Sequence, residues 1–80
     1  MPAVFLTRPV HSVEDLGAAI IAAVYGAADS RPEPRNLDAL ADLLRETRIK
    51  RVVVTDWGMP EASIGGLLEV LADEGVELSR

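Results

Sequence analysis

The chain contains no cysteine, a single histidine and three aromatic residues, Phe5, Tyr25 and Trp57, among its 80 positions. Without cysteine there is no disulfide framework and no thiolate chemistry, which agrees with a reducing compartment. Bases are scarce as well. Eight against thirteen acids leave a net charge of −5 and a pI near 4.6, which disfavours nucleic acid and anionic membrane as direct partners and favours a basic protein. No apolar run approaches the roughly 20 residues needed to cross a bilayer. The start, Met1-Pro2-Ala3-Val4-Phe5-Leu6-Thr7-Arg8, lacks the basic stretch and long apolar run of a secretory signal, so residence in the cytoplasm is expected.

What is present is enough for a packed core. Hydrophobic residues make up 49% of the chain, which excludes a disordered polar tail. A chain of this size buries only about 60–65% of the surface it exposes when unfolded, so residues 1–80 read as one domain with no room for a separate catalytic one.

Ala3 to Thr7 is an apolar run stopped by Pro9 and reads as a first strand buried on both faces. Ser12-Val13-Glu14-Asp15 resembles a helix start, with Ser12 as N-cap and two acids where the helix dipole favours them. Val13, Leu16, Ile20, Ala23 and Val24 then follow at helical spacing, and Gly26 ends a helix of roughly 12 residues. Residues 27–35, with Pro32 and Pro34, read as a surface loop. Asn36 is a second N-cap, and Leu37, Leu40, Ala41, Leu43 and Leu44 cover one side of a helix ending near Thr47. Ile49 and Val52-Val53-Val54 are strand-like, closed by Asp56-Trp57-Gly58-Met59-Pro60. Ile64, Leu67, Leu68 and Leu71 predict a third helix that ends at Gly75, with Gly65 and Gly66 weakening its first turn by roughly 1 kcal/mol each. Val76 to Ser79 is a short final strand.

The order is β-α-α-β-α-β, and connections that contain helices imply a parallel sheet. The fold class is therefore α/β, a three-stranded parallel sheet packed with about three helices. A strand covered on one side should alternate, whereas the first two strands are apolar throughout, so this assignment leaves one sheet face short of cover.

Asn36-Leu37-Asp38-Ala39-Leu40-Ala41-Asp42-Leu43-Leu44 resembles the inhibitory helix of the barstar family, which begins with an Asn-Leu-Asp-Ala-Leu run followed by an aromatic and another Asp. Ser12-Val13-Glu14-Asp15-Leu16 is similar to the start of that family's first helix, Val53-Val54-Thr55-Asp56-Trp57 to its second strand, and Glu74-Gly75 to its third-helix exit. The order and spacing of these pieces cover nearly the whole chain. The resemblance implies a two-layer barstar-like fold and a cytoplasmic protein that inhibits a secreted, guanyl-type ribonuclease in a 1:1 complex. It implies partner contacts from Asn36, Leu37, Asp38, Ala41, Asp42 and Glu46, with Asp42 entering the enzyme's phosphate site.

Helical geometry suits such a role. Asp38, Asp42 and Glu46 are four residues apart and lie about 40° from one to the next, so their carboxylates form a row opposite the leucines. A ribonuclease cleft is cationic and arranged for phosphate oxygens, and a row of fixed carboxylates turns that affinity against the enzyme.

The departures bear on the target. Ala41 stands where the family carries an aromatic, and Pro32-Glu33-Pro34-Arg35 replaces its Tyr-Tyr-Gly run. Aromatic anchors are the usual hot spots, so the alternative is an immunity or regulatory interaction domain for another basic protein or toxin. The family's acid on the third helix has no secure counterpart: alignment on Gly75 puts Val70 there, with Glu69 and Asp73 nearby.

Each residue also has a plain account. Asp38 is favoured by the dipole of a first helical turn, Asp42 can pair with Arg45 three residues on, and Glu46 can be solvated or pair with Lys50 if the helix runs on. Asn36 serves as a cap whatever else it does. Trp57 fits a packing residue at a strand end. His11 has no neighbouring acid to make it a catalytic or metal-binding group, and neither metal nor cofactor is expected. Gly65-Gly66 without the preceding strand-loop pattern or the Lys is a weak phosphate-loop signal and reads as close helix packing. Arg48-Ile49-Lys50-Arg51 is too short a basic cluster for nucleic acid in an acidic chain.

Overall fold

A computed structural model describes residues 3–26 and 34–80, the side chain of Ser63 excepted. Residues 27–33 of the expected loop, Pro32 and Glu33 among them, lie outside the described residues. The elements follow in the expected order: β1 (Ala3–Leu6), α1 (Val13–Tyr25), α2 (Leu37–Thr47), β2 (Arg51–Val54), α3 (Glu61–Asp73) and β3 (Glu77–Ser79). The sheet runs β1-β2-β3 with both pairs parallel, and its rows are Ala3–Arg51–Glu77, Val4–Val52–Leu78 and Phe5–Val53–Ser79.

Local chemistry sets the helix ends. Ser12 is extended, and its hydroxyl accepts the Asp15 N–H at 3.1 Å, while the Asp15 carboxylate reaches back to the His11 N–H at 3.0 Å. The first bond satisfies a donor that the first turn leaves open, and the second ties the residue ahead of the cap to that turn. Gly26, with φ 100°, ends α1. At the end of α3, Gly75 has φ 70°, its N–H meets the Ala72 carbonyl at 3.1 Å, and the Val76 N–H meets the Leu71 carbonyl at 2.8 Å. That Schellman pattern turns the chain straight into β3 and buries Val76.

The core lies between the helices and one face of the sheet. Leu16, Ile20, Leu40, Leu44, Val52, Leu67 and Leu71 are its largest fully buried members, together with Val10. Truncating one of the leucines to Ala would cost about 2–5 kcal/mol, a large share of the stability of so small a domain.

Several expectations are corrected here. β1 is not buried on both faces: Leu6 is 2% exposed, but Phe5 beside it is 70% exposed. Alternation along a strand sends Val4 and Leu6 toward the helices and Phe5 away from them, where its row partners Val53 and Ser79 are half-buried and exposed. β1 also stops at Leu6, whose carbonyl accepts from both the N–H and the hydroxyl of Thr55. On α1 the buried face is Leu16, Gly17, Ala19, Ile20 and Ile21, whereas Ala23 and Val24 are exposed. This helix is apolar around most of its circumference, so packing rather than periodicity selects the face. Leu68 of α3 is likewise exposed, while Val70 packs against the core. The close packing read from Gly65-Gly66 belongs to Gly66 alone: a β-carbon there would meet Leu37 Cδ1, and one on Gly65 would meet nothing.

Candidate functional site

The face singled out by sequence is the outer side of α2. Asn36 holds an extended backbone, and its Oδ1 accepts the Ala39 N–H at 2.8 Å, which starts the helix. Leu40, Leu43 and Leu44 then point into the core, Leu37 and Ala41 are half-buried, and Asn36, Asp38, Asp42, Arg45 and Glu46 are exposed. The apolar and acidic residues thus divide between the two sides of one helix, as their spacing requires.

The three acids of the row have different surroundings. Asp38 makes no hydrogen bond or ion pair among the described residues and stands free near the positive end of the helix dipole. Asp42 is 77% exposed and takes one bond from Arg45 Nη1 at 3.3 Å, the pairing its position in the helix suggests. Glu46 Oε1 accepts the hydroxyl of Tyr25 at 3.1 Å, which ties this end of α2 to α1. The helix does not run on toward Lys50. It ends at Thr47, and Arg48 turns out of it with φ 58°.

Sequence reasoning missed a fourth acid. Arg45 makes two of its three hydrogen bonds to Glu74 at the end of α3, with Nε at 3.2 Å from Oε1 and Nη2 at 2.9 Å from Oε2. The Arg45 hydrogen bond holds the Glu74 carboxyl below its usual range, against partial burial that pushes it up, and the Glu74 bond raises Arg45 in return. The two residues are 29 positions apart, and nothing in their local patterns announces the pair. Glu69 and Asp73, the neighbours considered for the family's third-helix acid, are exposed.

Trp57 and His11 lie in the connections ahead of α3 and α1. Trp57 is half-buried against the core, bridges in parallel to Val10, and carries the Arg80 guanidinium 5.3 Å from its ring centroid. His11 shares a shallow hollow of about 440 Å³ with Arg8, Pro9, Asp15 and Ala18, where one oxygen of the Asp15 carboxylate accepts the His11 backbone N–H. Among the described residues no group of three or more His, Asp or Glu could hold a metal ion, and no helix is long and apolar enough to cross a membrane.

The outer side of α2 can therefore offer carboxylate oxygens carried on a packed helix to cationic donors, Asp38 with both oxygens and Asp42 with one. No family model, no curated protein and no solved structure matches the chain.

Proposed function

We propose that this chain is a barstar-like inhibitor of a secreted, guanyl-type ribonuclease, acting in the cytoplasm as a single domain and blocking a cationic active site with the outer face of α2. The observation that carries the reading is the exposure of Asp38 and Asp42, one turn apart on a helix whose opposite side is locked into the core. Short carboxylate side chains on a packed helix have less freedom to lose on binding than acids on a mobile loop, which lowers the cost set against their attraction to Arg, Lys and His. In this reading Asp42 enters the phosphate site, Asp38 and Asn36 lie beside it, Leu37 and Ala41 supply apolar contact, and Glu46 marks the far rim, braced by Tyr25.

Adding the purified chain to a purified guanyl-type ribonuclease should abolish RNA cleavage at one equivalent. Full activity at a several-fold excess would overturn the proposal.

A second reading, an immunity or regulatory domain for another basic protein or toxin, draws on a specific feature. The α2 face carries Ala41 in place of an aromatic anchor, while Tyr25 is engaged with Glu46 and Trp57 packs beneath Arg80. Capture of a basic protein that is not a ribonuclease, with α2 substitutions abolishing the capture, would favour it.

A further inference from the structure

Arg45 places a positive charge inside the acidic surface proposed above. Its guanidinium spans two helices, donating Nε and Nη2 to the two oxygens of Glu74 and Nη1 to one oxygen of Asp42. The two carboxylates differ in what they leave open. Glu74 has a side chain only 16% exposed, and both its oxygens are taken by one planar fork, the strongest geometry available to an arginine and a carboxylate. Asp42 is 77% exposed, touched at one edge and at the longer distance of 3.3 Å. A partner's guanidinium can add to the second oxygen of Asp42 with Arg45 in place. To reach Glu74 it must displace Arg45 and meet its charge.

We propose that Arg45 determines which cationic partners this surface accepts: it closes the Glu74 half and confines an incoming guanidinium to Asp38 and the open oxygen of Asp42. The inference rests on the reading of α2 as the face for a basic partner. Without Arg45, the acids Asp38, Asp42 and Glu74 would form one continuous negative patch across α2 and α3, attractive to any polycation and selective for none.

The chain contains its own control. Arg51 pairs with Glu77 in the same chemical way, Nη2 to Oε2 at 2.8 Å, but in the sheet row that faces away from the helices. Arg51→Gln therefore changes the net charge and frees a carboxylate just as Arg45→Gln does, at a different place.

The test uses octa-arginine as the probe, titrated calorimetrically at low ionic strength into the full-length chain. Arg45→Gln should bind it about two- to fivefold more tightly than the parent, the gain that one exposed charge pair supplies. Arg51→Gln should stay close to the parent, and Arg45→Gln combined with Glu74→Gln should return to it. If circular dichroism shows that Arg45→Gln does not fold, Arg45→Met keeps the aliphatic stem over the helix contact and is measured instead. No gain in the Arg45 variant, an equal gain in Arg51→Gln, or no binding by either chain would overturn the proposal. Ribonuclease inhibition is a separate measurement, so a chain that gains octa-arginine affinity yet inhibits no ribonuclease keeps this inference and loses only its supposed target.

Discussion

Pro34 fills the space that a side chain on Gly17 would need: a β-carbon built on Gly17 would collide with Cγ and Cδ of the proline ring. Both residues are buried, so the chain entering α2 rests directly on the backbone of α1. Gly17→Ala should destabilise the protein by about 1–3 kcal/mol through overpacking, although Ala is the better helix former by about 1 kcal/mol. Gly65, with open space at its β-carbon, should behave oppositely, Gly65→Ala gaining about 0.5–1 kcal/mol. Urea denaturation of the two variants checks both signs, and a stable Gly17→Ala would show that Pro34 does not pack there.

Asn36 has a structural duty that any binding experiment must separate out. Its Oδ1 accepts the Ala39 N–H at 2.8 Å, and Asn36→Ala should lose about 1 kcal/mol of stability. Asn36→Asp and Asn36→Ser should retain most of it. Thermal melts of the three variants, read beside their affinities for a confirmed partner, show how much of an Asn36 effect is capping.

Asp42 should matter to binding far more than to folding. Its side chain is largely in water, and its one bond goes to an Arg45 that keeps Glu74 without it, so Asp42→Ala should cost the fold no more than about 0.5 kcal/mol. In the proposed complex the carboxylate would be desolvated among cations, and its removal would strand those charges, at about 2–5 kcal/mol of affinity. Asp42→Asn keeps the volume and removes only the charge. If both Asp42 variants bind as the parent does while Asp38→Ala fails, the proposed binding face lies one turn earlier on α2.

Acid should weaken the fold partly through Glu74. Its folded-state pKa is depressed, chiefly by the hydrogen bond from Arg45, so the folded chain holds this proton less readily than the unfolded one. The contribution is present above the ordinary carboxylate range and is lost as pH falls through the depressed folded value. Arg45 stays charged across that range. Glu74→Gln should flatten the acid limb of the melting temperature plotted against pH, and an unchanged limb would mean that Glu74 and Arg45 do not pair in solution.

Much of this protein is decided by residues acting on their near neighbours. Ser12 and Asn36 start helices because an oxygen on a short side chain reaches an N–H three residues on, and Gly26 and Gly75 end them because they tolerate positive φ. The leucines and aspartates of α2 separate onto two sides because both recur near the helical period. These effects act within a turn or two of chain, so the sequence by itself determined the order of elements, their approximate ends and the acidic side of α2. Other features depend on parts of the chain that meet only after folding. Phe5 and Leu6 belong to one apolar run, and the placement of the helices on one side of the sheet alone makes the first exposed and the second buried. Gly65 and Gly66 are alike in sequence, and only Gly66 has Leu37 against it. Arg45 has an obvious partner three residues away in Asp42, yet α3 brings up Glu74 with a better geometry and takes two of its bonds. Tertiary structure decided these points because burial and ion pairing depend on distance in space, and the distance along the chain, 29 residues for Arg45 and Glu74, does not reveal it.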